Sequence, residues 1–151
     1  MRLLLVEDEE SKRQRVAEVL RVELPDAEIV EARSLNSGLK TVVQGNYDLV
    51  ILDMTMPTFD ITELEEGGRP QAYGGRELLR HMERRGIEVP TVLLTQFDRF
   101  GKGTDQRSIE ELDVELRSAY PRTYRGVIRY NVAFDSWREE LVSILIELKD
   151  S

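Results

Sequence analysis

A regular switch between two hydrophobic periods runs along this chain and restricts it to one class of fold. Short apolar runs, RLLLVE (2–7), AEIVEAR (27–33), YDLVILDM (47–54), PTVLLTQ (90–96) and GVIRYN (126–131), read as strands. Segments of helical period separate them: ESKRQRVAEVLRVEL (10–24), SLNSGLKTVVQGN (34–46), GRELLRHMERRG (75–86), DQRSIEELDVELRSA (about 105–119) and DSWREELVSILIELK (135–149). Val16, Val19, Leu20 and Leu24 share one face of the first helix, and Leu35, Leu39, Val42 and Val43 one face of the second. Trp137, Leu141, Ile144, Leu145 and Leu148 do the same in the last. Ser34 is the expected N-cap of the second helix and Gly45-Asn46 its stop, while Gly86 and Pro121 close the third and fourth. Strands one, three and four lack polar alternation, the mark of strands covered on both faces. Strands alternating with helices in this way predict an α/β fold, a doubly wound five-stranded parallel sheet with right-handed crossovers.

With 151 residues the chain has room for a single such domain, 1–151. It closes on the fifth helix, so no output domain is expected to follow. Two connections, at about 57–75 and 96–104, exceed the roughly 2–6 residues usual between a strand and the next helix. Both leave the carboxyl ends of strands, where open α/β sheets place their sites. The acidic residues of the first, Asp60, Glu63, Glu65 and Glu66, suit an excursion, a lid or a docking surface for a partner.

Composition removes several function classes. A net charge of -8 repels phosphate backbones and argues against a nucleic-acid partner. The apolar runs are too short to span a bilayer, and no signal peptide opens the chain, so a cytoplasmic location is expected. The absence of cysteine excludes disulfides, thiolate catalysis and thiolate zinc sites. Lys12, Arg13 and Arg15, like Arg76, Arg80, Arg84 and Arg85, are expected on solvated helix faces, as is the only histidine, His81. Trp137 reads as a core or subunit-contact residue.

The carboxyl ends of the central strands carry the residues with chemistry. Strand one ends in Glu7-Asp8, strand three in Asp53 and strand four in Thr95. Three carboxylates converging on one crevice repel one another unless something positive sits among them. An oxygen-only cluster without His or Cys suits a hard cation, Mg²⁺ above all.

LLLVEDEE, YDLVILDMTMP and TVLLTQ resemble the response-regulator receiver domain of two-component signalling, and the resemblance covers the chain apart from the two long loops. It implies a flavodoxin-like (βα)5 sheet of strand order 2-1-3-4-5. It further implies Asp53 as phosphoacceptor, Asp8 as a direct Mg²⁺ ligand, Glu7 as a ligand through water, the backbone carbonyl of Thr55 as another ligand, and Thr95 as the switch hydroxyl. Receivers end the fifth strand with a lysine that contacts the phosphoryl oxygens. Tyr130 stands at that position here, followed by Asn131, and Val127 stands at the position of the usual switch aromatic. Arg129 is expected on the opposite face of the strand, leaving Lys102 in the FGKGT loop as a candidate replacement.

The resemblance thus implies a stand-alone, atypical receiver that takes a phosphoryl group from a sensor histidine kinase or phosphotransfer protein and signals to a downstream protein. The alternative is a degenerate receiver acting by contact alone. A Mg²⁺ phosphohydrolase with an aspartyl nucleophile is a remote third, because Thr55 stands where that chemistry wants a second aspartate. Val142 and Ile146 widen the apolar face of the last helix and are expected to support a homodimer there.

Overall fold

The computed structural model describes residues 1–60 and 73–150. Residues 61–72, with Glu63, Glu65 and Glu66 and most of the 57–75 connection, lie outside the described residues, as does Ser151. In chain order the elements are β1 (Arg2–Val6), α1 (Glu10–Glu23), β2 (Glu28–Ala32), α2 (Leu35–Gln44), β3 (Leu49–Leu52) and α3 (Gly74–Arg84). They continue with β4 (Thr91–Thr95), β5 (Arg99–Phe100), β6 (Arg107–Ser108), α4 (Ile109–Ala119), β7 (Tyr124–Arg129) and α5 (Ser136–Lys149).

Parallel pairing assembles one five-stranded sheet in the order β2-β1-β3-β4-β7, the flavodoxin-like order expected, with β7 as its fifth strand. The side-chain period of two in a strand divides the core into two layers. Leu3 and Leu5 of β1 face the layer filled by Val16 and Leu20 of α1 and by Trp137, Leu141 and Leu145 of α5. Leu4 and Val6 face the layer filled by Val42 of α2, Leu78, Leu79 and Met82 of α3, and Leu112 and Leu116 of α4. Covering on both faces is why Leu49 to Leu52 are apolar without interruption and fully buried.

Four details depart from expectation. Val43, placed with the core stripe of the second helix, is 50% exposed; one residue past buried Val42 it has turned out of the stripe. The fourth helix does not start near 105. Residues 99–100 and 107–108 pair as a short antiparallel ribbon around a 3-10 turn, Gly103–Asp105, and the helix starts at Ile109 behind a capping box of Ser108 and Glu111. The fifth strand of the sheet starts at Tyr124, earlier than expected, with a register shift against β4 between Thr91 and Val92. Lys12 and Arg13 are buried, not solvated.

On the outside, α5 buries Trp137, Leu141 and Leu145 while Ile146 stays exposed. Among the described residues no helix is long and apolar enough to cross a membrane.

Candidate functional site

The strand order reverses between β1 and β3, and their carboxyl ends open the crevice that such a reversal creates. Glu7 and Asp8 follow β1, Asp53 follows β3, and Thr95 ends β4, so residues far apart in sequence meet on one edge. Glu7, Asp53 and Thr95 are buried there and Asp8 is half-buried. Thr55 lies in the bend beyond Asp53. The Thr95 hydroxyl accepts a hydrogen bond from the Phe97 backbone N–H at 3.3 Å.

A cation already lies among these acids, and it comes from the protein. Lys12, only 1% exposed, places its ammonium 2.6 Å from Glu7 Oε1 and 3.0 Å from Asp53 Oδ2 and donates to the Leu94 carbonyl at 2.6 Å. One side chain thereby ties together the ends of β1, β3 and β4. Local sequence explains how it gets there. Glu9 caps α1 by accepting from the backbone N–H groups of Ser11 and Lys12, while its own N–H donates to Glu7 Oε2. Helical side chains lean toward the N-terminus of their helix, so a long one in the first turn reaches back over the strand ends. Arg13 follows the same logic, donating to the Glu7 carbonyl and pairing with Glu31.

Expectation and structure differ over this cation. Lys102, the candidate replacement for the missing lysine, is exposed where the 3-10 turn begins, and Arg129 is exposed and paired with Asp98. Tyr130 is buried at the end of β7 with its ring beneath the Lys12 ammonium, 5.5 Å from centroid to Nζ, and against Trp137 at 5.1 Å. Val127 is a half-buried residue packed on the α2–α4 layer. Helical spacing among charged neighbours assigns Lys12 to a solvated face; the signal for the opposite is its place in the first turn after Glu7-Asp8.

Electrostatics follow from burial. Desolvation pushes the Glu7 carboxyl up to about 7 against the pull of Lys12. It also raises Asp8, and the Asp53 charge adds to that rise. Burial alone would lower Lys12, but the Asp53 and Glu7 charges outweigh it and hold the ammonium above its ordinary value. Lys12 therefore stays charged at neutral pH. Asp53 Oδ1 accepts from the Met54 backbone N–H at 2.7 Å, which fixes the plane of the carboxylate.

The backbone behind Asp53 is crowded. A Cβ on Gly75 would lie 2.6 Å from the Asp53 carbonyl oxygen and 2.6 Å from Leu52 Cδ1. Gly75→Ala is therefore expected to destabilise the domain by about 1–3 kcal/mol. Urea denaturation would read the loss, and an unchanged midpoint would show that α3 can retreat at no cost.

A family model described as the response regulator receiver domain matches residues 3–106. The chain belongs to the response-regulator receiver family. It is thus a signal-transduction module of two-component systems and not a classical enzyme. The match stops short of α4 and β7, the part of this receiver that carries Tyr130. Two relatives align over nearly the whole receiver. The Detocs response regulatory protein DtcB of Enterobacter cloacae (strain JD6301) is 27% identical across 98% of this chain and 100% of its own. An uncharacterised protein, y4jR, of Sinorhizobium fredii (strain NBRC 101917 / NGR234) is 28% identical across 98% and 99%. Among solved structures, the response regulator TrrA of Thermotoga maritima in complex with Mg²⁺-BeF covers 97% of both chains at 26% identity and a TM-score of 0.62. The N-terminal domain of an uncharacterised Wolinella succinogenes protein, at 15% identity and a TM-score of 0.69, shares the fold.

Proposed function

We propose that Asp53 is the phosphoacceptor of this receiver, taking a phosphoryl group from a phosphohistidine of a sensor kinase or phosphotransfer protein, with Asp8, Asp53, the Thr55 carbonyl and, through water, Glu7 holding Mg²⁺. The observation that carries this reading is the Asp53 carboxylate itself. It is 5% exposed at the switch point of the sheet and oriented by Met54 and Lys12, a nucleophile held in place before a donor arrives.

The donor set suits a divalent ion. Among the described residues no three acid or histidine side chains form a group that holds a metal by themselves, and the Lys12 ammonium lies between Glu7 and Asp53. The three carboxylates against one ammonium still leave a formal excess of two negative charges, and the Asp53 charge adds to the burial that raises both Glu7 and Asp8. The Mg²⁺-BeF complex of TrrA adds support from a related fold. When bound, the ion would neutralise charge on the transferring group.

In the transfer an Asp53 oxygen forms a bond to phosphorus as the phosphorus–nitrogen bond of the donor breaks, and the imidazole keeps the electron pair. The Met54 N–H holds the other carboxylate oxygen in plane meanwhile. Buried Thr95 offers its hydroxyl as the group that follows the phosphoryl oxygens. The resulting change of surface is read by a downstream protein.

Incubation with acetyl phosphate and Mg²⁺ followed by intact mass is the test. A phosphoryl adduct on the wild type, absent in Asp53→Ala, is expected. No adduct on the wild type would leave a module that works by contact alone.

A further inference from the structure

Lys12 stands out among the charged groups of the molecule. It is the least exposed of the buried polar and charged residues that carry a positive charge, and it touches the reacting carboxylate directly. At the same edge Tyr130, an uncharged residue, follows the last residue of β7. We propose that Lys12 is a catalytic residue of this receiver: its ammonium, delivered from α1, meets the phosphoryl group as the bond to Asp53 forms. The inference rests on the reading of Asp53 as the phosphoacceptor.

The three N–H bonds of the ammonium argue for it. Two are anchors, to Glu7 Oε1 and to the Leu94 carbonyl, each at 2.6 Å. The third reaches Asp53 Oδ2 at the longer distance of 3.0 Å. When an Asp53 oxygen bonds to phosphorus and the donor atom leaves with the electron pair, the carboxylate gives up its charge to become an acyl phosphate. The phosphoryl oxygens bring a charge of about two in its place. The third N–H then turns from the carboxylate to a phosphoryl oxygen while the anchors hold the nitrogen still. A charge-assisted donor fixed in advance, in a site with little water, is worth most where new charge develops.

Tyr130 fits this arrangement. Its ring offers the ammonium an electron-rich face at 5.5 Å and fills the space at the end of β7 without adding a second positive charge. A lysine there would set two ammonium groups against each other over one carboxylate.

The test follows adduct formation from acetyl phosphate by intact mass at saturating Mg²⁺, with circular dichroism confirming the fold of each protein. Lys12→Gln is expected to slow labelling by about 100-fold, the loss typical of removing one preorganised donor to developing charge. Lys12→Arg, which keeps a cation, is expected to recover part of the rate. Removing the ammonium also leaves Glu7 unpaired, so Glu7→Gln with Lys12→Gln is the companion variant that removes anion and cation together. It is expected to fold and to label as slowly as Lys12→Gln. Glu7→Gln alone, which keeps the ammonium, reads what Glu7 gives to the metal site at saturating Mg²⁺ and is expected to label faster than either variant without Lys12. A folded variant without Lys12 that labels at the wild-type rate overturns the proposal. A wild type that takes no adduct overturns the reading of Asp53 and this proposal with it.

Discussion

Lys12→Met is expected to destabilise the domain by about 3–5 kcal/mol, the range for breaking a buried ion pair by removing one partner. The cost arises in what remains. Glu7 and Asp53, at 2% and 5% exposure, would face each other across the crevice with no cation between them, and the Leu94 carbonyl would lose its donor. Methionine keeps most of the volume, so little of the loss would come from packing. The penalty has a pH dependence of definite sign. The folded-state carboxyl of Glu7 is already raised to about 7 from 4.5, and loss of Lys12 raises it further. A carboxyl raised in the folded state adds stability fully below the unfolded value and loses it as pH rises through the folded one. The variant should therefore lie closest to wild type near pH 4.5 and fall further behind through pH 7 and above. Urea denaturation across that range would measure it. A penalty below about 1 kcal/mol at all pH values would mean that water reaches the acids and that the ion pair behaves as an exposed one.

That lysine also marks where sequence stopped being informative. The sheet was legible because its evidence is local: Leu49 to Leu52 form an unbroken apolar run, and only a strand covered on both faces calls for one. Placing Glu7, Asp53 and Thr95 on one edge then needed only the alternation of elements, which determines where each strand ends. Lys12 depends on something else, the direction in which a first-turn side chain leans over a crevice built by three other segments. Helical period assigned it to the solvent with Arg13, and tertiary reach reversed both. The ribbon of β5 and β6 was illegible for another reason: two-residue strands have no period to detect. Tyr73 secures it with its hydroxyl, which donates to the Asp105 carbonyl at 2.6 Å and lies 3.0 Å from that of Phe100, a contact across about thirty residues that no local pattern announces. The start of α4 has a local signal of its own, since Ser108 and Glu111 spell the capping box in sequence.

Truncating Trp137 is the second change with a large expected effect. The side chain is fully buried at the start of α5, in the layer that joins α1 to the sheet, and it carries the Tyr130 ring at 5.1 Å and 48°. Trp137→Ala is expected to cost about 3–5 kcal/mol, through lost apolar burial and the cavity left behind. The loss would reach the site, because Tyr130 supports the Lys12 ammonium on its other side. Trp137→Phe separates size from polarity. Among the described residues the buried indole N–H has no acceptor, so phenylalanine removes an unsatisfied donor while keeping an aromatic contact with Tyr130. Its cost should be well under half that of alanine. As the chain has a single tryptophan, far-UV circular dichroism in urea must replace fluorescence as the probe. If Trp137→Ala lost less than about 1 kcal/mol, the residue would not be the floor of this layer. Lys12 would then have to be held by Glu7, Asp53 and Leu94 alone.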